Sequence, residues 1–185
     1  SIKHLIKNNI EGDIVETGVF KGGNLILSKK LLNSFNVSNK RIYGYDTFEG
    51  MTEPTANDKD IFGENPFKMW KKSQKENYNE EVKKNFEKEI GDSQSLNLIK
   101  GPVEKTLLKE ENLPNKISLL RLDTDWYESS KVELEILYPR LIEGGVLIID
   151  DYGHWEGVKK SVDEYFLNKN IWLHYVDYGC RLLIK

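Results

Sequence analysis

Apolar stretches of strand length alternate along the chain with segments whose apolar residues recur at helical spacing, the pattern of a parallel sheet covered by helices. DIVET at 13–17 predicts a first strand and GGNLILSKKLL at 22–32 the helix after it. RIYGYD at 41–46 predicts a second strand, SLNLIK at 95–100 a third, KISLLRLD at 116–123 a fourth and GGVLIIDD at 144–151 a fifth. The fourth and fifth are apolar without alternation, as strands buried on both faces should be. Val82, Phe86 and Ile90 recur four apart on one helical face of 79–90, and Val158, Val162, Tyr165 and Phe166 mark a later helix. Ser130 with Glu133 reads as a capping box opening the helix KVELEILY, which Pro139 follows. The last fifteen residues, IWLHYVDYGCRLLIK, read as two strands about a turn at Asp177 to Gly179.

One stretch breaks the alternation. Residues 47–74 are rich in Gly, Pro, Asn and Asp, yet carry Phe62, Phe67, Met69 and Trp70, which a disordered linker does not need. A partly ordered lid or insertion is expected at about 50–78. With 185 residues, 38% of them hydrophobic, the chain can bury one sizeable core, so a single domain over 1–185 is expected. A net charge of -3 does not favour nucleic acid. A single cysteine, Cys180, excludes an internal disulfide framework and fits a reducing compartment, so a cytoplasmic location is expected. No apolar run has the length of a membrane span, and the first residues lack the features of a signal peptide, so no membrane partner is expected.

In doubly wound sheets ligands bind beyond the carboxyl ends of the strands, and the chemistry-bearing residues of this chain fall there. Gly18, Gly22 and Gly23 follow the first strand, and Glu16 and Thr17 end it. The glycine spacing does not match a dinucleotide fingerprint, and taken alone it equally fits a turn and helix cap. Asp46, followed by Thr47, ends the second strand where an acid commonly grips ribose hydroxyls; a turn cap is the plainer alternative. Two acids beside this loop would repel a pyrophosphate but welcome a cationic nucleoside such as S-adenosylmethionine. Asp123 and Asp125 lie two apart and project to one side as the fourth strand ends, and Asp150 and Asp151 close the fifth. Carboxylates so gathered need a cation or a proton, and oxygen-only ligands select magnesium or another hard divalent ion. Solvated strand ends are the alternative for either pair alone. His4, His154 and His174 make no metal spacing; His174 reads as structural and His154 as a solvated loop residue within reach of the site. Trp126, Tyr127, Tyr152 and Trp155 suit an apolar wall for an acceptor or packing under the loops.

The segments DIVETGVFKGG, YGYDTFEGM, LIKGPVEKTL, SLLRLDTDWYESS, LEILYPRLIEGGVLIIDDYG and VDEYF occur in the order and spacing of the macrocin O-methyltransferase (TylF-type) family, which the chain resembles over most of residues 12–166. The resemblance implies a Rossmann-like class I methyltransferase fold: an α/β, mostly parallel seven-stranded sheet with helices on both faces and a C-terminal antiparallel hairpin. It implies an S-adenosylmethionine- and magnesium-dependent enzyme acting on a hydroxyl of a sugar or glycosylated natural product. By resemblance Asp123, Asp150 and Asp151 are metal ligands and Asp125 the general base. Glu16, Thr17, Gly18, Gly22, Gly23, Asp46, Thr47 and Asp123 would lie along the methyl donor, with Asp92 and Ser93 at its adenine end. The chain starts almost directly on its first expected strand, and the N-terminal segment that in this family helps form the acceptor site and a homo-oligomer is short or absent in these residues.

Three rivals remain at this level. A catechol-type O-methyltransferase also uses magnesium, but favours a lysine near the first metal aspartate and an Asp-Asn pair where this chain has Asp150 and Asp151. A nucleoside-binding module on the same fold would bind the donor without transfer. A nicotinamide oxidoreductase suffers from the glycine spacing and the absence of a Tyr-x-x-x-Lys pattern.

Overall fold

The computed structural model describes residues 1–185. Seven strands form one sheet: β1 (Asp13–Thr17), β2 (Ile42–Asp46), β3 (Leu96–Lys100), β4 (Ile117–Leu122), β5 (Leu141–Ile149), β6 (His174–Tyr175) and β7 (Arg181–Ile184). Their order is β3-β2-β1-β4-β5-β7-β6. The first five run parallel, β7 runs antiparallel to β5, and β6 antiparallel to β7. This is the mixed α/β sheet with a terminal hairpin that the pattern predicts. The helices are α1 (Ile2–Lys7), α2 (Gly23–Ser34), α3 (Pro66–Ser73), α4 (Asn79–Ile90), α5 (Val103–Thr106), α6 (Tyr127–Ile136) and α7 (Glu156–Phe166). None is long and apolar enough to cross a membrane.

The two faces of the sheet build two cores, and adjacent residues of each central strand are divided between them. Val15, Leu120 and Leu147 pack with Leu134 of α6 and Val158 and Val162 of α7. Their neighbours Ile14, Leu119 and Val146 pack with Leu5 of α1, Leu25 and Leu32 of α2 and Phe86 of α4. The period of two is intact, but both faces are dry, so the strands read as unbroken apolar runs. Truncating one such residue, as in Leu120→Ala, removes about 2–5 kcal/mol.

Several expectations are corrected. The chain enters the sheet after a short helix, α1, whose Ile2 and Leu5 are buried; two buried residues are too few to register as a helical period. β5 begins at Leu141, ahead of the glycine pair, because the strand passes through an irregularity in its register with β4. The capping box at Ser130 and Glu133 does not form. Helix α6 already starts at Tyr127, and Ser130 and Glu133 are buried within it. Its first amide is satisfied from elsewhere: Tyr127 N donates to Asp58 Oδ1 at 2.7 Å. His154 is not a solvated loop side chain, since its Nε2 lies 3.2 Å from Asp60 Oδ2 and its ring stands edge-on to Trp155. His174 is exposed on edge strand β6.

Residues 50–78 lie across the carboxyl edge of the sheet and are tied down by backbone groups. Trp126 Nε1 donates to Thr52 O at 2.7 Å, Ile61 N to His154 O at 3.1 Å and Glu156 N to Lys59 O at 2.8 Å. Asp60 and Trp155 form an isolated antiparallel bridge. Asn65 caps α3 by accepting from Phe67 N and Lys68 N. Met69 packs against the core, whereas Phe62 and Phe67 remain exposed.

Candidate active site

The last rungs of the sheet pair Thr17 with Tyr45, Thr17 with Leu122, and Leu122 with Ile149. One residue further, Asp46, Gly18, Asp123 and Asp150 therefore stand in a row along the carboxyl edge. The strand order reverses between β1 and β4, which places Gly18 and Asp123 at the switch point. The two backbones are so close that a Cβ on Gly18 (φ +74°) would lie 1.9 Å from Asp123 O. Only glycine fits there.

A cavity of about 450 Å³ opens over this edge. Gly18, Asp46, Thr47, Asp123 and Asp125 line it together with Gly101 and Val103 after β3, and Lys72, Ser73 and Tyr78 from the covering segment. Asp46 organises its rim. Its Oδ2 accepts from Phe20 N at 2.8 Å, and its Oδ1 from Phe48 N at 2.6 Å and Tyr78 OH at 3.3 Å. Asp46 thus caps the turn while lining the cavity. Thr47 Oγ1 donates to Gly50 O and closes the same turn.

Arg121 controls the charge of the cluster. Its Nη1 donates to Glu16 Oε1 at 2.8 Å and Asp123 Oδ2 at 2.5 Å, and its Nη2 donates to Asp150 Oδ2. Burial works against the guanidinium charge, but the three carboxylates outweigh it and raise its pKa. Burial pushes Asp123 up to about 8; Arg121 opposes the shift and Asp150 adds to it. One oxygen from each of Asp123, Asp150 and Asp151 can be chosen so that all lie within 4.8 Å of one another. Three convergent carboxylates are a hard-oxygen donor set, and they fit a divalent cation of the magnesium type.

Asp125 sits beside this cluster in a strained turn. Trp126 N donates to Thr124 O at 2.9 Å, closing a three-residue turn about Asp125, whose φ is 70°. Thr124 Oγ1 donates to buried Glu133 at 2.9 Å, and Trp155 Nε1 to Asp125 Oδ1 at 3.2 Å. Asp151 also has positive φ, 56°. Such conformations persist in non-glycine residues where the surroundings over-determine them. Burial raises the pKa of both carboxyls, and the proximity of Asp151 raises that of Asp125 further.

Other candidate residues stand apart from the cavity. Glu16 is buried and faces Asn24 and Arg121; burial raises its pKa to about 7 against the pull of Arg121. Thr17 is buried within β1, and Gly22 forms the left-handed N-cap of α2, before Gly23. Asp92 and Ser93 precede β3 and so lie at the amino edge of the parallel sheet, where Asp92 caps Gln94 N and Ser93 donates to Glu87. The residues that instead follow β3 into the cavity are Gly101 and Val103. Sequence reasoning passed over Arg121 and gave Glu133 a different role. A cation two residues before Asp123 on the same strand face was the available signal for the first. Glu133 reads in the sequence as the capping-box partner of Ser130, whereas it is buried within α6 and accepts from Thr124. Trp126 and Trp155 are buried, edge-to-face at 4.9 Å, so they are packing residues beneath the acids.

The macrocin-O-methyltransferase (TylF) family model matches residues 1–181. The chain is 31% identical over 166 residues to a demethyldecarbamoylnovobiocin O-methyltransferase of Streptomyces niveus, covering 89% of this chain and 62% of the relative. It is 31% identical over 158 residues to an 8-demethyl-8-(2,3-dimethoxy-alpha-L-rhamnosyl)-tetracenomycin-C 4'-O-methyltransferase of Streptomyces olivaceus, covering 82% and 57%. The chain thus spans about six tenths of the length of the curated relatives it matches. The solved structure of the O-methyltransferase NovP superposes with a TM-score of 0.85 at 29% identity, over 100% of this chain and 76% of that one. A class I methyltransferase sheet, a cavity at its switch point and a family match over nearly every residue agree: the chain belongs to the macrocin-O-methyltransferase (TylF) family.

Proposed function

We propose that this chain catalyses methyl transfer from S-adenosylmethionine to a hydroxyl of a sugar carried on a small natural product, with magnesium or a similar cation held by Asp123, Asp150 and Asp151. The observation that carries the reading is the placement of Asp125, lining the cavity and adjoining a three-carboxylate cluster. The relatives support the acceptor class, since those named above are O-methyltransferases of novobiocin- and rhamnosyl-tetracenomycin-type compounds.

The donor supplies an activated methyl group, and a hard cation lowers the pKa of a neighbouring hydroxyl. The protein's own groups do the rest. Gly18, lacking Cβ, lets the Asp123 backbone close up beside it at the floor of the cavity, and Asp46 offers carboxylate lone pairs to the ribose of the donor. Asp125 accepts the proton of the acceptor hydroxyl; burial and the neighbouring Asp151 raise its affinity for a proton, which suits a general base. Lys72, Ser73 and Tyr78 form the wall that excludes water from the donor. Alignment of acceptor oxygen with methyl carbon supplies much of the remaining rate.

Transfer of labelled methyl to a panel of glycoside hydroxyls, with magnesium and with chelator, tests the proposal. Transfer that requires the ion is expected. Donor binding with no transfer to any acceptor would favour a binding module, and undiminished transfer in chelator would remove the cation.

A further inference from the structure

A second concavity, of about 480 Å³, adjoins the same acids but shares no lining residue with the donor cavity. Its walls are Ile61 and Phe62 of the covering segment, Tyr152, and Tyr175, Tyr178 and Arg181 of the C-terminal hairpin. Its apolar rings face solvent: Phe62 is 67%, Tyr175 69% and Tyr178 56% exposed. The groove lies beside the candidate reaction site, since Tyr152 and Gly153 of its wall directly follow Asp151. Gly153, two residues after Asp151, lies against the hairpin tip so tightly that a Cβ there would be 1.6 Å from Tyr178 O, and its N–H donates to Gly179 O at 2.9 Å. Trp155 lines the groove while its indole N–H reaches Asp125.

We infer that this groove is a binding subsite for the part of the acceptor remote from the methylated hydroxyl, and that this part is a flat ring system such as an aromatic aglycone. The inference rests on the proposed methyl transfer for the word acceptor; the ring-binding property stands on the groove itself. Its walls are pre-formed. The Arg181 guanidinium lies 4.9 Å from the Tyr152 ring and 4.6 Å from the Tyr175 ring, holding both, and Phe62 and Tyr178 stand 5.9 Å apart at 58°. Exposed ring faces set about a concavity favour stacking of a planar group, and the volume falls in the range of small-molecule sites. The two cations of the wall are held in place. Arg181 donates to Asp177 O and Cys180 O, and Lys159 pairs with Asp163. A second copy of the chain fits less well, because a concave wall of separate rings needs a convex counterpart.

Saturation-transfer NMR on the full chain tests this with 2-naphthyl β-D-glucopyranoside against methyl β-D-glucopyranoside. The naphthyl protons should receive saturation, and the naphthyl glycoside should bind about tenfold more tightly, the worth of one good stacking contact. Tyr178→Ala and Phe62→Ala, both truncations of exposed rings, should remove most of that preference with circular dichroism unchanged. Leu108→Ala, at an exposed residue far along the chain from the groove, should keep it. Equal binding of the two glycosides, or a preference that survives both truncations, would overturn the subsite. So would a dimer in sedimentation that Tyr178→Ala dissociates, since the groove would then belong to a second copy. The readout is binding without turnover, so a chain that keeps the preference but methylates nothing supports the groove and sinks only the proposed reaction.

Discussion

Asp58 accepts the backbone N–H of Tyr127 at 2.7 Å, so a residue of the 50–78 segment caps a helix that begins 69 positions later. The other Asp58 oxygen accepts from Thr55 N and Oγ1, and a Cβ on Gly157 would lie 2.2 Å from Asp58 Oδ1. One buried carboxylate thus joins the covering segment to the first turns of α6 and α7. Asp58→Ala should lower stability by about 2 kcal/mol, through loss of a cap and an unsatisfied buried amide, and lower Tm by roughly 4–8 °C. Calorimetry measures it; an unchanged Tm would mean that the cap is dispensable.

Gly18→Ala is expected to be severe. The new methyl would meet the Asp123 carbonyl at 1.9 Å in a left-handed backbone conformation, and neither β1 nor β4 can retreat from the centre of the sheet. A loss of about 2–4 kcal/mol is expected, with donor affinity falling alongside it, because the same shift moves Asp123. Denaturant unfolding and donor titration on one preparation would show both, and wild-type values for either would contradict the placement.

Glu133 should make stability depend on pH. Burial pushes its pKa up to about 8, against hydrogen bonds from Thr17 and Thr124. Its ordinary value is 4.5, so between the two the folded state holds a proton that the unfolded state releases, and stability falls as pH rises through that window. Glu133→Gln keeps an acceptor for Thr124 and has no proton to lose. It should gain on the wild type steadily from about pH 5 to pH 8 in urea denaturation. A difference independent of pH would refute the assignment.

Much of this arrangement was legible in the sequence because it follows from periodicity. Strand ends are where apolar runs stop, so Asp46, Gly18, Asp123 and Asp150 could be placed on one edge before their register was known. What was hidden depends on contacts between distant segments. The Asp58 cap moves the start of α6 ahead of Ser130, and no local signal carries a cap supplied from so far away. Asp92 and Ser93 resembled a donor contact by motif, but they precede β3, and in a parallel sheet that puts them on the wrong edge. Arg121 was missed because a cation in a strand reads as a surface residue until three carboxylates are seen around it.

Arg121 also yields a prediction about metal. Arg121→Met leaves Glu16, Asp123 and Asp150 without a counter-charge and should lose about 3–5 kcal/mol in chelator. Added magnesium should recover part of this, raising Tm more in the variant than in the wild type, because the carboxylates regain a cation. Equal gains in the two proteins would argue against cation binding at this cluster.

The division of labour among the aspartates is the central claim, and Asp125→Asn addresses it most directly. Asparagine tolerates the positive φ of 70° and can still accept the Trp155 N–H, so fold and cluster should survive. Donor and magnesium affinities measured by calorimetry should stay within about twofold, while single-turnover methyl transfer to an acceptor of the wild-type enzyme should fall by about 10²–10⁴. Transfer at the wild-type rate in this variant would contradict the account.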